Sequence, residues 1–72
     1  MNIEIGDIVQ LHENGELKIT WLEVLEIQGD NALCLYRVLD KAPNDNERPT
    51  ALIPTEELFP LSSLIIMRKK ND

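Results

Sequence analysis

The chain has 72 residues, enough for one domain with one core, and a chain this short buries a smaller share of its surface than a typical domain. Its 43% hydrophobic and 28% charged residues exclude intrinsic disorder, and no apolar run approaches the ~20 residues that span a bilayer. The net charge of −6 is unevenly placed: residues 68–72 hold three of the seven bases and one of the thirteen acids, so they carry +2 and the remainder −8, a field that repels phosphate backbones.

Ordering entropy of roughly 1.5 kcal/mol per residue is of the same size as the apolar burial available, so stability is expected to be modest, and a partner or a second copy could add to it. Met1–Asp7 carries acids where a secretory leader carries lysines, and no long apolar region follows, so a cytoplasmic protein is expected. Cys34 cannot pair within the chain, and between Leu33 and Leu35 it reads as a reduced, buried small hydrophobe rather than a reactive thiol. With Cys34 and His12 the only residues of their kinds, one chain cannot assemble a cysteine–histidine zinc site.

In chain order, Gly6-Asp7 leads into Ile8-Val9-Gln10-Leu11, a short β-branched run, and His12-Glu13-Asn14-Gly15-Glu16 supplies an Asn-Gly turn. Between Leu17 and Gln28, Ile19, Trp21, Leu25 and Ile27 fall on one parity and Leu22 and Val24 on the other. A strand whose buried face changes through a bend or bulge near Glu23 accounts for this, with a helix over Ile19–Ile27 as the competing reading. Gly29-Asp30-Asn31 turns the chain into Ala32–Leu39, apolar on both parities, so the two runs predict a β-hairpin. Lys41–Pro49, with its prolines, asparagines and charges, is the one clear loop. Thr50–Ile53 reads as a strand closed by Pro54, and Thr55–Leu58 as a single 3₁₀-like turn cut short by Pro60. Leu61–Met67 is strand-like by its isoleucines, although Ser62-Ser63 could cap a short helix instead.

The sum is an all-β domain over residues 1–67, with four to five short strands and one 3₁₀ turn, followed by a basic C-terminal tail at 68–72. Edge strands in so short a chain are best hidden by closing the sheet into a small barrel. Gly6-Asp7-Ile8-Val9-Gln10-Leu11, Val24-Leu25-Glu26-Ile27, Gly29-Asp30-Asn31, Leu33-Cys34-Leu35-Tyr36 and Glu57-Leu58-Phe59-Pro60 together resemble small bacterial SH3-like barrel proteins of uncharacterised function that open on a Gly-Asp-x-Val-x-Leu strand. Some of these carry a Cys-x-Trp-Phe strand; here Tyr36 stands where the Trp-Phe pair is expected, and the Lys41–Pro49 loop is longer than a minimal version needs. The resemblance implies an SH3-like barrel and carries over no functional residue.

Chemistry-bearing constellations are scarce. His12 falls in a polar turn, the acids match no calcium-binding loop, and Gly6, Gly15 and Gly29 each mark a turn rather than a phosphate loop. Neither catalysis, a metal nor a cofactor is expected. Trp21, Tyr36 and Phe59 are the only aromatics; Trp21 and Phe59 read as core fillers, with Tyr36 the one most free to be exposed.

A protein-interaction module is therefore expected. Its candidate contacts are Tyr36, Arg37 and Arg48 beside the Lys41–Pro49 loop, together with Trp21. Two other readings stand behind it: an acidic mimic of nucleic acid that blocks a DNA- or RNA-binding protein, and a barrel that engages nucleic acid through Arg68-Lys69-Lys70.

Overall fold

The computed structural model describes residues 2–40 and 51–70. Its strands are β1 (Ile8–Glu13), β2 (Glu16–Gln28), β3 (Asn31–Asp40), β4 (Ala51–Pro60) and β5 (Leu64–Arg68), with a 3₁₀ turn at Leu61–Ser63. They form one antiparallel sheet of order β4-β3-β2-β1-β5, which bears out the all-β expectation. The sheet does not close, because no ladder joins β4 to β5 among the described residues; these two strands are its open edges. No helix there is long and apolar enough to cross a membrane.

The first hairpin turns on Asn14-Gly15, both at positive φ (53° and 78°), the combination whose twist matches two flanking antiparallel strands. His12 and Glu13, read from sequence as part of the turn, belong to β1, and the His12 ring lies 3.1 Å from Gln10 Oε1. The last pair, Glu13–Glu16, directly flanks the two residues of the tight turn.

β2 is long because it serves two hairpins. Its first part pairs with β1 and its last part, from Glu23, pairs with β3. The parity change in its sequence is resolved by two irregularities on either side of Glu23. Against β1, Leu22 faces Val9 and Ile19 faces Leu11, so Thr20 and Trp21 together stand opposite Gln10. Against β3, Leu25 is the extra residue between the Val24–Cys34 and Glu26–Leu33 pairs. The strand reading of Leu17–Gln28 is therefore correct and the helix reading falls. Leu22 and Val24 face inward, while Trp21 is turned out and 52% exposed, which corrects the expectation that it fills the core.

β4 runs straight through Pro54, and the 3₁₀ turn comes after Pro60 rather than at Thr55–Leu58. Proline ends a central strand, whereas β4 is an edge, where a residue without an amide hydrogen can face solvent. Beyond the Glu23–Leu35 pair, β3 and β4 continue alone for five residue pairs, Tyr36–Thr55 to Asp40–Ala51. That two-stranded arm is roughly 17 Å long at ~3.4 Å per residue, in a molecule 44 Å in its longest dimension.

The core gathers Val9 and Leu11 of β1, Leu22 and Val24 of β2, Ala32 and Cys34 of β3, Phe59 of β4 and Leu64 of β5. Full burial of side chains such as Leu22, Val9 and Val24 contributes about 1.5–3 kcal/mol each. Ile3, Ile19, Tyr36, Leu61 and Ile66 pack around its margin.

Among the described residues one charged side chain is fully buried: Asp7, at 0% exposure. Its Oδ2 accepts the Glu4 amide at 2.8 Å and Lys69 Nζ at 2.7 Å, and its Oδ1 accepts the Lys70 amide at 3.0 Å. Lys69 also donates to the Asn2 carbonyl at 2.8 Å and lies 3.3 Å from Glu4 Oε1. The backbone of the same turn is bonded to β2 through Gly6 N–H to Val24 O and Val24 N–H to Asp7 O. Gly6 is at φ 95°, which favours glycine, and a Cβ there would stand 2.5 Å from Lys70 Cδ, so a larger residue would also have to displace that side chain. Arg68 in β5, with Lys69 and Lys70 on this latch, makes those positions of the basic tail part of the fold.

Burial pushes the Asp7 carboxyl up, but the Lys69 ammonium and the Glu4 and Lys70 amides outweigh it and hold the carboxyl below its ordinary 3.8. The hydrogen bond to Asp7 raises Lys69 above its ordinary 10.5. A lowered Asp7 contributes stability that is complete above the ordinary carboxylate value and lost as pH falls through the folded one. A raised Lys69 contributes stability that is complete below its ordinary value and lost as pH rises through the folded one. Asp7→Asn places an amide hydrogen against one of the three donors. It is expected to lower the unfolding free energy in denaturant titrations by about 3 kcal/mol at neutral pH, and to flatten its fall in acid. An unchanged acid profile in the variant contradicts this role.

Candidate functional site

Side-chain alternation sorts the predicted contact residues onto two faces. On β3, Ala32, Cys34 and Tyr36 point to the core side, and Leu33, Leu35 and Arg37 to the outer side. Tyr36 and Arg37 are therefore separated. Tyr36 packs at the core margin with its ring 6.1 Å from that of Phe59, and its hydroxyl donates to Glu57 Oε1 at 2.8 Å. It is half-buried rather than a free rim residue.

Arg37 is exposed on the outer side, where its strand partner is Pro54, with Leu52 two residues further along the arm. Trp21 lies on this same side. Both Trp21 and Arg37 sit two residues past the Glu23–Leu35 pair, where β2 and β3 part company. The outer face at the root of the arm thus presents Leu35, Arg37, Pro54 and Leu52, with Trp21 on the same side of β2 where that strand turns away to pair with β1. Arg48 and the Lys41–Pro49 loop lie outside the described residues.

Pro54 and Leu52 were not singled out from sequence. The signal that could have found them is the pairing of Thr50–Ile53 with the end of the Ala32–Leu39 run, which puts an apolar edge strand beside Arg37. Val38 and Ile53, paired across the arm, are also exposed, so both sides of the arm carry apolar surface.

Cys34 is placed for packing: it is buried, its Sγ is 3.7 Å from the Ala32 carbonyl, and burial pushes its thiol up to about 11, away from the thiolate that reactivity requires. Among the described residues no cluster of three histidine, cysteine or acidic side chains could hold a metal ion. An outer-face row running Glu56, Leu35, Glu23, Ile8, Arg68 across the five strands alternates acid with apolar residues and ends on a base.

Compared with known proteins, the chain matches no family model, no curated protein and no solved structure.

The hydrogen bond to Glu57, followed by burial, raises the Tyr36 hydroxyl above its ordinary 10.0. Its contribution is complete below the ordinary value and is lost as pH rises through the folded one. Glu57→Ala removes the acceptor, so ultraviolet titration of tyrosinate is expected to move down towards the ordinary value. A titration that stays where it was contradicts the assignment of the shift to Glu57.

Proposed function

We propose that the chain is a small, acidic, non-catalytic protein-interaction module of the SH3-like type, and that it meets its partner with the outer face at the root of the β3–β4 arm. The observation that carries this reading is Trp21. A chain with three aromatics leaves its only tryptophan 52% exposed on a strand, on the same side of the sheet as an exposed arginine and an apolar edge. Tryptophan and arginine are the residue types that most often anchor protein interfaces, and each loses little conformational freedom per contact made. The barrel part of the proposal rests on connectivity. The two open edges, β4 and β5, are consecutive in sequence and joined only by Leu61–Ser63, whose Leu61 amide is bonded to the Asp30 carbonyl at 2.9 Å, so sheet twist can bring the edges towards one corner.

The two nucleic-acid readings are less well supported. Lys69, one of the three bases proposed to contact a backbone, is neutralised by Asp7 and Glu4. A phosphate mimic needs acids in rows, whereas here the outer-face acids are interrupted by Leu35 and Ile8.

Affinity capture from the native lysate, followed by affinity measurement on the protein retained, tests the proposal. The expected result is a partner that binds the intact chain and loses about 30-fold in affinity to Trp21→Ala, with a smaller loss to Arg37→Ala. Thermal unfolding of Trp21→Ala should stay close to that of the parent, because half of the side chain is already in water. A partner held equally well by Trp21→Ala places the contact elsewhere, and failure to retain any protein opposes the reading as a whole.

A further inference from the structure

The sheet's two open edges are guarded unequally. β4 carries Pro54 and Pro60, which offer no amide hydrogen, and Glu56 and Glu57, whose charges resist an added strand. β5 reads Leu64-Ile65-Ile66-Met67-Arg68, with no proline and a single charge at its last position. It is the only one of the five strands without a carboxylate. A cleft of about 440 Å³ lies against it, lined by Asn2, Ile3, Leu61, Leu64, Ile65 and Ile66. Consecutive strand residues point to opposite faces, so a cleft that touches three in a row follows the edge of the strand.

The geometry points to β5 as the seat of a second copy of this chain, added antiparallel, β5 against β5, about a twofold axis. This surface is separate from the Trp21 face and does not depend on it. Self-pairing suits the strand: centred on Ile66, it sets Ile65, 51% exposed, against Met67 of the second copy, 49% exposed. No like charges meet. Two chains of net charge −6 repel wherever acidic surfaces approach, and β5 is the one strand that brings no acid to the contact.

A twofold pairing also closes on itself, so it yields dimers rather than fibres. The register shift between Ile66 and Arg68 confines the added ladder to the pairs on either side of Ile66, which sets a weak association.

Sedimentation equilibrium on the full chain is expected to show monomer and dimer exchanging in the range of roughly 1–100 µM. Ile65→Lys, at an exposed position, should weaken the dimer about tenfold or more by forcing a charge into the added ladder. Met67→Lys is a second variant with the same expected effect, should the first prove poorly folded by circular dichroism. Backbone amide resonances of residues 64–68 should shift with concentration while those of 52–59 stay fixed. A single monomer mass up to about 1 mM overturns the proposal. So does a dimer that both lysine variants leave unchanged, or one whose concentration-dependent shifts fall on β4.

Discussion

A buried carboxylate holds the two ends of this chain together. Asp7 has no contact with water, so its charge persists only because three donors converge on it, one from its own turn and two from the far end of the sequence. The arrangement is demanding. The turn must place Glu4 N–H and both Asp7 oxygens correctly, Gly6 must leave room for Lys70, and β5 must end where Lys69 can fold back. Once met, these conditions fix β5 against β1 with an ionic contact that the strand's five residues alone would not supply.

The rest of the sheet is arranged around that closure. β1, anchored at its start, is the strand on which both β2 and β5 are registered, and β2 then passes the order on to the β3–β4 hairpin. Because β2 supports β3 only as far as Leu35, the outer half of that hairpin stands free of the core. A small chain so built has little interior to spare. Leu52, Ile53, Val38 and Trp21 are left exposed, a large share of apolar surface for a chain of this size.

Much of this architecture could be read from the residues. The Asn14-Gly15 and Gly29-Asp30 turns, the strands they separate, the core positions of Phe59 and Cys34, and the strand at Leu64–Met67 all follow from local chemistry and alternation. What was hidden depended on neighbours distant in sequence. Pro54 ends a central strand but not an edge, and nothing local says that β4 is an edge. Trp21 faces outwards because a bulge adds one residue beside Gln10, and a parity count cannot say which residue is the extra one. Asp7 reads locally as the opening of a strand, since two of its three partners lie more than 60 residues away. The only sequence trace of the latch is three bases at the end of an acidic chain, and the same trace reads equally well as a nucleic-acid tail. As for the candidate site, Arg37 and Trp21 were named from residue type, but alternation along β3 sends Tyr36 to the other face.

Residue-resolved amide hydrogen exchange in Asp7→Asn tests most directly the claim that this carboxylate fastens β5. Protection in a small sheet is lost first where a strand opens locally, so the account predicts that the amides of Leu64–Arg68 and of their partners in β1 exchange faster in the variant. Those of the hairpin from Glu26 to Leu33 should keep most of their protection. A uniform loss across all five strands, or unaltered protection in β5, would contradict it.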